Sequence, residues 1–130
     1  MRKSMVEYLR SDMKCEGLLE CLHGLKGLDR TCFEELVEAD EPLTVDELAE
    51  RVDRERSTVY RALKRLLQAG IVEEEQINYD QGGYYHVYST ADTEQIVDDM
   101  QRLLNDWYAK MGQLIREFEE KYEDAQEVTH

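Results

Sequence analysis

The sequence predicts a mainly α-helical chain with one small β-hairpin and a long helix towards its C-terminal end. Three observations predict it. Apolar residues recur at helical spacing in short segments separated by glycine, proline or a helix cap. A stretch that opens on Ile71 and Val72 and a tyrosine-rich stretch flank a turn with Gly82 and Gly83. An unbroken run from 92 to 122 repeats apolar residues every three or four positions. With 130 residues, 42% of them apolar, the chain has room for one compact domain plus one appended element, not for two independent domains.

In chain order, residues 1–10 carry Arg2, Lys3 and Arg10 and read as a basic arm or the lead-in to a helix. Leu18, Leu19, Leu22 and Leu25 define a helix from Asp12 to about Leu25, broken by Gly24 and Gly27. Asp29 is placed to cap the next helix through its side-chain oxygen. That helix presents Phe33, Leu36 and Val37 and ends near Ala39, ahead of Pro42. Thr44 and Glu47 form a capping box, in which each side chain satisfies an open amide of the first turn. Leu48, Ala49 and Val52 continue that short helix, and a tight turn follows at Asp53 and Arg54. A third helix runs from about Glu55 to Ala69 and stops at Gly70, suited to the left-handed residue after a helix. A strand starts at Ile71 and Val72, a turn spans Asn78 to Gly83, and Tyr84 to Ser89 return. Two strands after a helical trio make a winged helix-turn-helix. The expected organisation is an arm and helix over 1–27, the winged domain over 28–90, a dimerisation helix over 91–123 and a frayed tail over 124–130.

Charge poses an objection to the obvious function of such a domain. Thirty acidic residues face sixteen basic ones, a net charge of -14, and a chain this acidic repels a polyanion. The distribution answers it. Residues 51–65 hold six basic groups (Arg51, Arg54, Arg56, Arg61, Lys64 and Arg65) and two acids (Asp53 and Glu55), a net +4 that leaves -18 on the rest. On a helical wheel Val59, Ala62, Leu63, Leu66 and Leu67 share one face, with Ser57, Thr58, Arg61, Lys64, Arg65 and Gln68 opposite. Small hydroxyls at the N-terminal end allow close approach to DNA, and Arg61 can address a guanine edge bidentately. Arg54, Arg56, Lys64 and Arg65 suit phosphates. Against this stands a merely solvated helix face stabilised by i,i+4 pairs, which predicts mixed signs; this face has no acid between Arg56 and Gln68.

The run GLDRTCFEELVEADEPLTVDELAERVDRERSTVYRALKRLLQAGIV, continued by YYHVYST, resembles archaeal winged-helix regulators of the TrmB type and more loosely the PadR and MarR types. The matching pieces are Gly-Leu before the trio, T-V-D-E-L-A, S-T-V-Y-R-A-L-K-R-L, A-G-I-V and the tyrosine-rich strand, over about residues 25–90. The resemblance implies duplex DNA as partner, with Ser57, Thr58, Tyr60 and Arg61 at the major groove. Tyr60 sits at the wheel's edge, open to a phosphate contact or to packing. The wing departs from the pattern: its tip, Tyr79 to Gly83, lacks Arg or Lys, leaving Gln81 and the glycine amides as phosphate contacts. The larger sugar-sensing members carry a C-terminal effector domain that these residues do not contain, so a sugar ligand is not expected and the effector is open. The acidic surface, with ten arginines to six lysines, resembles proteins of extreme halophiles, where molar salt screens charge within about 3 Å. The plainer alternative is an acidic surface that serves solubility.

The long helix carries a seam of Ile96, Met100, Leu103, Trp107, Met111, Leu114, Phe118 and Tyr122. Its mean spacing of about 3.7 is nearer the eleven-residue repeat than the heptad and predicts a nearly straight pairing. Val97, Leu104, Tyr108 and Ile115 widen the face. The expected cover is the same helix of a second subunit, with the N-terminal helix alongside. A twofold would then set two recognition helices about 34 Å apart on a pseudo-palindromic operator. The competing reading folds the helix back on its own domain.

Cys15, Cys21 and Cys32 do not read as a disulfide framework. They read as buried thiols or, for Cys15 and Cys21, as oxidant sensors near the dimer interface; Cys21-x-His23 is a poor zinc spacing. No metal, cofactor or enzymatic activity is expected, since no nucleophile elbow, phosphate loop or paired-ligand motif appears. No apolar run approaches the roughly 18 residues of a membrane span, and no secretory leader is recognisable, which points to the cytoplasm. A second functional class stays open: a winged-helix module whose basic helix docks an acidic protein.

Overall fold

A computed structural model describes residues 4–11 and 13–129, with side chains except at residues 16 and 126–129. It divides into two compact units, Met1–Ile96 and Val97–His130. Helix α1 (Met5–Arg10) opens the first unit behind a Ser4–Glu7 capping box that composition alone did not advertise. A 3-10 turn at Cys15–Gly17 leads into α2 (Leu18–His23). The single helix expected from Asp12 to Leu25 is therefore shorter, and Asp12 itself lies outside the described residues. The chain leaves α2 through Gly24 in the left-handed conformation, a position that costs glycine little.

The trio follows as α3 (Leu28–Glu38), α4 (Val45–Val52) and α5 (Arg56–Gln68). Leu48, Val59, Leu63, Leu66 and Ile71 are fully buried among them, with Cys32 contributed by α3. The stripe that α3 buries is Asp29, Cys32 and Leu36. It is rotated from the expected one: Phe33 is only partly buried and Val37 is exposed. Nor does Asp29 cap α3. Gly27 occupies the N-cap without a side-chain bond, and Asp29 is drawn inward by a partner described below. The T-x-x-E box at α4 forms as expected, Glu47 N–H donating to Thr44 Oγ1 at 3.1 Å and Thr44 N–H to Glu47 Oε1 at 2.9 Å. Hydrogen bonds from the Thr44 backbone and side chain hold the Glu47 carboxyl below its usual range. Asp53 turns the chain between α4 and α5 at φ 54°.

Strands β1 (Val72–Asn78) and β2 (Tyr84–Thr90) pair antiparallel, with Val72 opposite Thr90 and Asn78 opposite Tyr84. Leu43 extends this hairpin by pairing with Tyr88, Leu43 N–H donating to Tyr88 O at 2.9 Å and Tyr88 N–H to Leu43 O at 2.7 Å. Tyr88 is thereby buried with the core and anchors the wing to the trio. Helix α6 (Thr93–Thr129) starts with Ile96 packed against that core. It is continuous through residues expected to fray, because nothing in the polar segment after Glu123 breaks a helix. Among the described residues, no helix is long and apolar enough to cross a membrane.

Candidate nucleic-acid interface

Helix α5 buries Val59, Ala62, Leu63 and Leu66. This leaves Arg56, Ser57, Tyr60, Arg61, Lys64, Arg65 and Gln68 exposed, with Thr58 half-buried and Arg54 exposed just ahead of the helix. The stripe thus gathers the expected residues on one surface. The structure divides them by what they already hold. Arg65 Nε and one Nη donate to the two oxygens of Asp29 at 2.8 and 2.7 Å. This fork ties α5 to α3, and it raises the Arg65 guanidinium further above its ordinary value. Arg65 shares the outer surface with Lys64, its side chain half exposed, but its fork is already engaged by Asp29. The carboxylate wins because it is buried, and a buried charge must be paired.

Arg56 Nε donates to Asp46 Oδ1 at 2.9 Å on the surface, and Arg51 lies 3.8 Å from Glu35. Lys64 Nζ sits 5.3 Å from the centroid of the Tyr60 ring, within cation–π range. Among the described residues, Arg54, Arg61 and Lys64 make no ion pair. They are the cations that meet an incoming anion without first releasing a carboxylate.

The wing tip is acidic or neutral. Tyr79 N–H donates to Gly83 O at 3.0 Å and Gly82 N–H to Tyr79 O at 3.2 Å, closing the turn through two left-handed glycines. The Gly82 amide is therefore already used, and Gln81 stands exposed beside it. Asp29 is a buried counterion and not a cap. Its spacing to Cys32 and Leu36 already set it on the buried stripe of α3, and an acid there implies a cationic partner from a facing helix.

Cys15 and Cys21 are exposed, whereas Cys32 is buried. Burial and then the adjacent Asp29 push the Cys32 thiol up to about 11, against the opposing pull of Arg65. Among the described residues, no group of histidines, cysteines and carboxylates is arranged to hold a metal ion. Along α6, the seam residues Leu103, Trp107, Leu114, Phe118 and Tyr122 are exposed in the single chain, and Met100 and Met111 are half-buried.

A family model described as the sugar-specific transcriptional regulator TrmB matches residues 19–94. Two uncharacterized proteins of Methanocaldococcus jannaschii are each 32% identical to this chain. One match runs over 110 residues, covering 85% of this chain and 81% of that protein. The other runs over 119 residues, covering 89% and 98%. A solved structure from Methanosarcina mazei Go1, described as a possible transcriptional regulator, superposes with a TM-score of 0.73 at 27% identity, over 91% of this chain and 99% of that one. A protein of the thermoacidophilic archaeon Sulfolobus tokodaii shares the fold at 21% identity, with a TM-score of 0.59 over 74% of this chain and 93% of that one. The family match spans the trio and the wing, more than half of the sequence, and the chain accordingly belongs to the TrmB family of transcriptional regulators.

Proposed function

We propose that this protein is a cytoplasmic, homodimeric transcriptional regulator that binds a pseudo-palindromic duplex through α5. The observation that carries the reading is the α5 surface. Arg54, Arg61 and Lys64 are cations without a carboxylate partner among the described residues, on a chain whose net charge is -14. Ser57 and Thr58 lie one turn before Arg61, at the end of the helix that approaches base edges most closely. The seam of α6 supplies the second subunit, and its partner doubles the basic surface. Lys64 and Arg54 serve phosphates; Arg61 and Gln68 serve base edges; Arg56 joins them by exchanging Asp46 for a phosphate. Gln81 at the wing tip is the one wing side chain suited to a backbone contact. Oxidation of Cys15 or Cys21 is a second input. The acidic remainder suits a halophilic cytoplasm.

A gel shift with a duplex from the protein's own promoter tests this. Arg61→Ala is expected to weaken binding about tenfold or more and to relax preference at one base pair of each half-site. Full binding by the variant, or no preference for that duplex over scrambled DNA, counts against α5 as the reading helix. Capture of an acidic protein by the same face, with no duplex bound, favours a protein-docking module instead.

A further inference from the structure

A cavity of about 360 Å³ opens between the wing and the N-terminal ends of α4 and α5. Its wing side is the face of β2 that carries Tyr84, His86 and Tyr88, which lie two residues apart and therefore on one side of the strand. Arg56 and Tyr60 line it from α5 and Asp46 from α4, with Tyr79 and Tyr85 at the hairpin end. We propose that this cavity is the effector site of the regulator and takes a small planar aromatic acid.

Size, polarity and position each support that class. A cavity of roughly 150 Å³ takes one benzene ring, so this one admits a ring with its acidic substituent and a few waters. Five of its side chains are tyrosines, which offer ring faces for offset or edge contacts; the Tyr88 hydroxyl is held by Glu74. Arg56 engages Asp46 through Nε alone. Its two amino nitrogens make no hydrogen bond among the described residues and remain as donors for a carboxylate. The donor surplus calls for acceptor oxygens on the ligand. One arginine and one aspartate cancel in charge, so the site lacks the cation excess that a nucleic-acid backbone requires. The ring-rich wall would also suit a quaternary ammonium; with Arg56 and Asp46 cancelling in charge, it is the two unengaged amino nitrogens of Arg56 that favour a carboxylate over it.

Position supplies the coupling. Arg56 and Tyr60 belong at once to the cavity and to the N-terminal half of α5, and Tyr60 also carries Lys64. A ligand carboxylate on Arg56 withholds it from phosphate, and a ring against Tyr60 disturbs the seat of Lys64. Occupancy therefore opposes DNA binding. This coupling rests on the proposed role of α5; the binding itself does not.

The full chain is titrated with benzoate and phenylacetate, without DNA, by calorimetry and by tyrosine resonances. Saturable one-to-one binding is expected, weakened about tenfold in Arg56→Ala and about threefold or more in Tyr84→Ala. Tyr84 is an exposed wing residue, so Tyr84→Ala should stay folded, as circular dichroism checks. Cyclohexanecarboxylate and tetramethylammonium should bind distinctly more weakly. No saturable aromatic binding, equal binding by the variants, or preference for tetramethylammonium overturns the site. In the second arm, benzoate should weaken the promoter complex of the wild type, and Tyr84→Ala should need about threefold or more benzoate for the same loss. Benzoate binding without any effect on that complex overturns the effector role. A protein that binds benzoate but no duplex at all refutes the DNA reading while leaving the cavity assignment standing.

Discussion

At the residue scale the pair formed by Asp29 and Arg65 does most to position α5. Its members are unequal: the Asp29 side chain is 7% exposed and that of Arg65 51%. Removing Arg65 strands a buried carboxylate, whereas removing Asp29 leaves a guanidinium that can turn to water. Arg65→Ala should therefore cost about 2–3 kcal/mol and Asp29→Ala about 1 kcal/mol, measured by urea unfolding. The reverse order would mean that the pair is held for packing rather than charge. The cysteines separate in the same way. Native protein should alkylate at Cys15 and Cys21 and spare Cys32 until it unfolds, because Cys32 is buried and its thiol is pushed up to about 11. The folded chain holds that proton more tightly than the unfolded one, whose thiol titrates near 9.0. The associated stability is constant below about pH 9 and declines as pH rises from there towards 11. If oxidation regulates the protein, hypochlorite should alter DNA affinity in the wild type and lose its effect when Cys15 and Cys21 are replaced by serine.

At the element scale, α5 was legible because its two faces differ in kind: an apolar stripe of Val59, Ala62, Leu63 and Leu66 and an outer face without acids. The wheel did not show which of its cations are already paired. A wheel shows which way a side chain leaves the helix, not what a neighbouring helix offers it. The difference is measurable. Each phosphate neutralised adds about 0.9 to the slope of log K against log salt. Arg54, Lys64 and an Arg56 released from Asp46, from two subunits, give a slope of about -5, whereas counting Arg65 as well gives about -7. A measured slope near the larger value would mean that DNA pulls Arg65 from Asp29 too. The wing shows the complementary case. Its turn was read from Gly82 and Gly83, but its anchoring through Leu43 and Tyr88 joins residues far apart in sequence, and no local pattern announces it.

At the scale of the whole molecule, the apolar face of α6 sets the expectation for assembly. Leu103, Trp107, Leu114 and Phe118 leave large apolar side chains open to water along the second unit. Burying such a side chain contributes about 1.5–3 kcal/mol, so a twofold that covers the seam on both copies has ample driving force. Sedimentation should show a dimer at micromolar concentration. Replacing Leu103 and Trp107 together by glutamate should give a folded first unit, a monomeric mass and DNA binding reduced to that of a single half-site. An unchanged mass would leave this seam without its proposed partner.

The sequence by itself determined the order of elements, the hairpin, the long helix and the face of α5 that meets solvent, because each follows from local periodicity, caps and turn residues. Only the tertiary structure decided which of the exposed cations are spoken for. It moved Asp29 from a cap to a buried counterion, turned Arg65 towards it, tied Arg56 to Asp46, and placed the wing tyrosines against the N-terminal end of α5 to line an open cavity. The physical reason is the same throughout. Periodicity reports how a segment divides itself between water and core, whereas ion pairs and cavities form between segments whose meeting depends on how the whole domain packs.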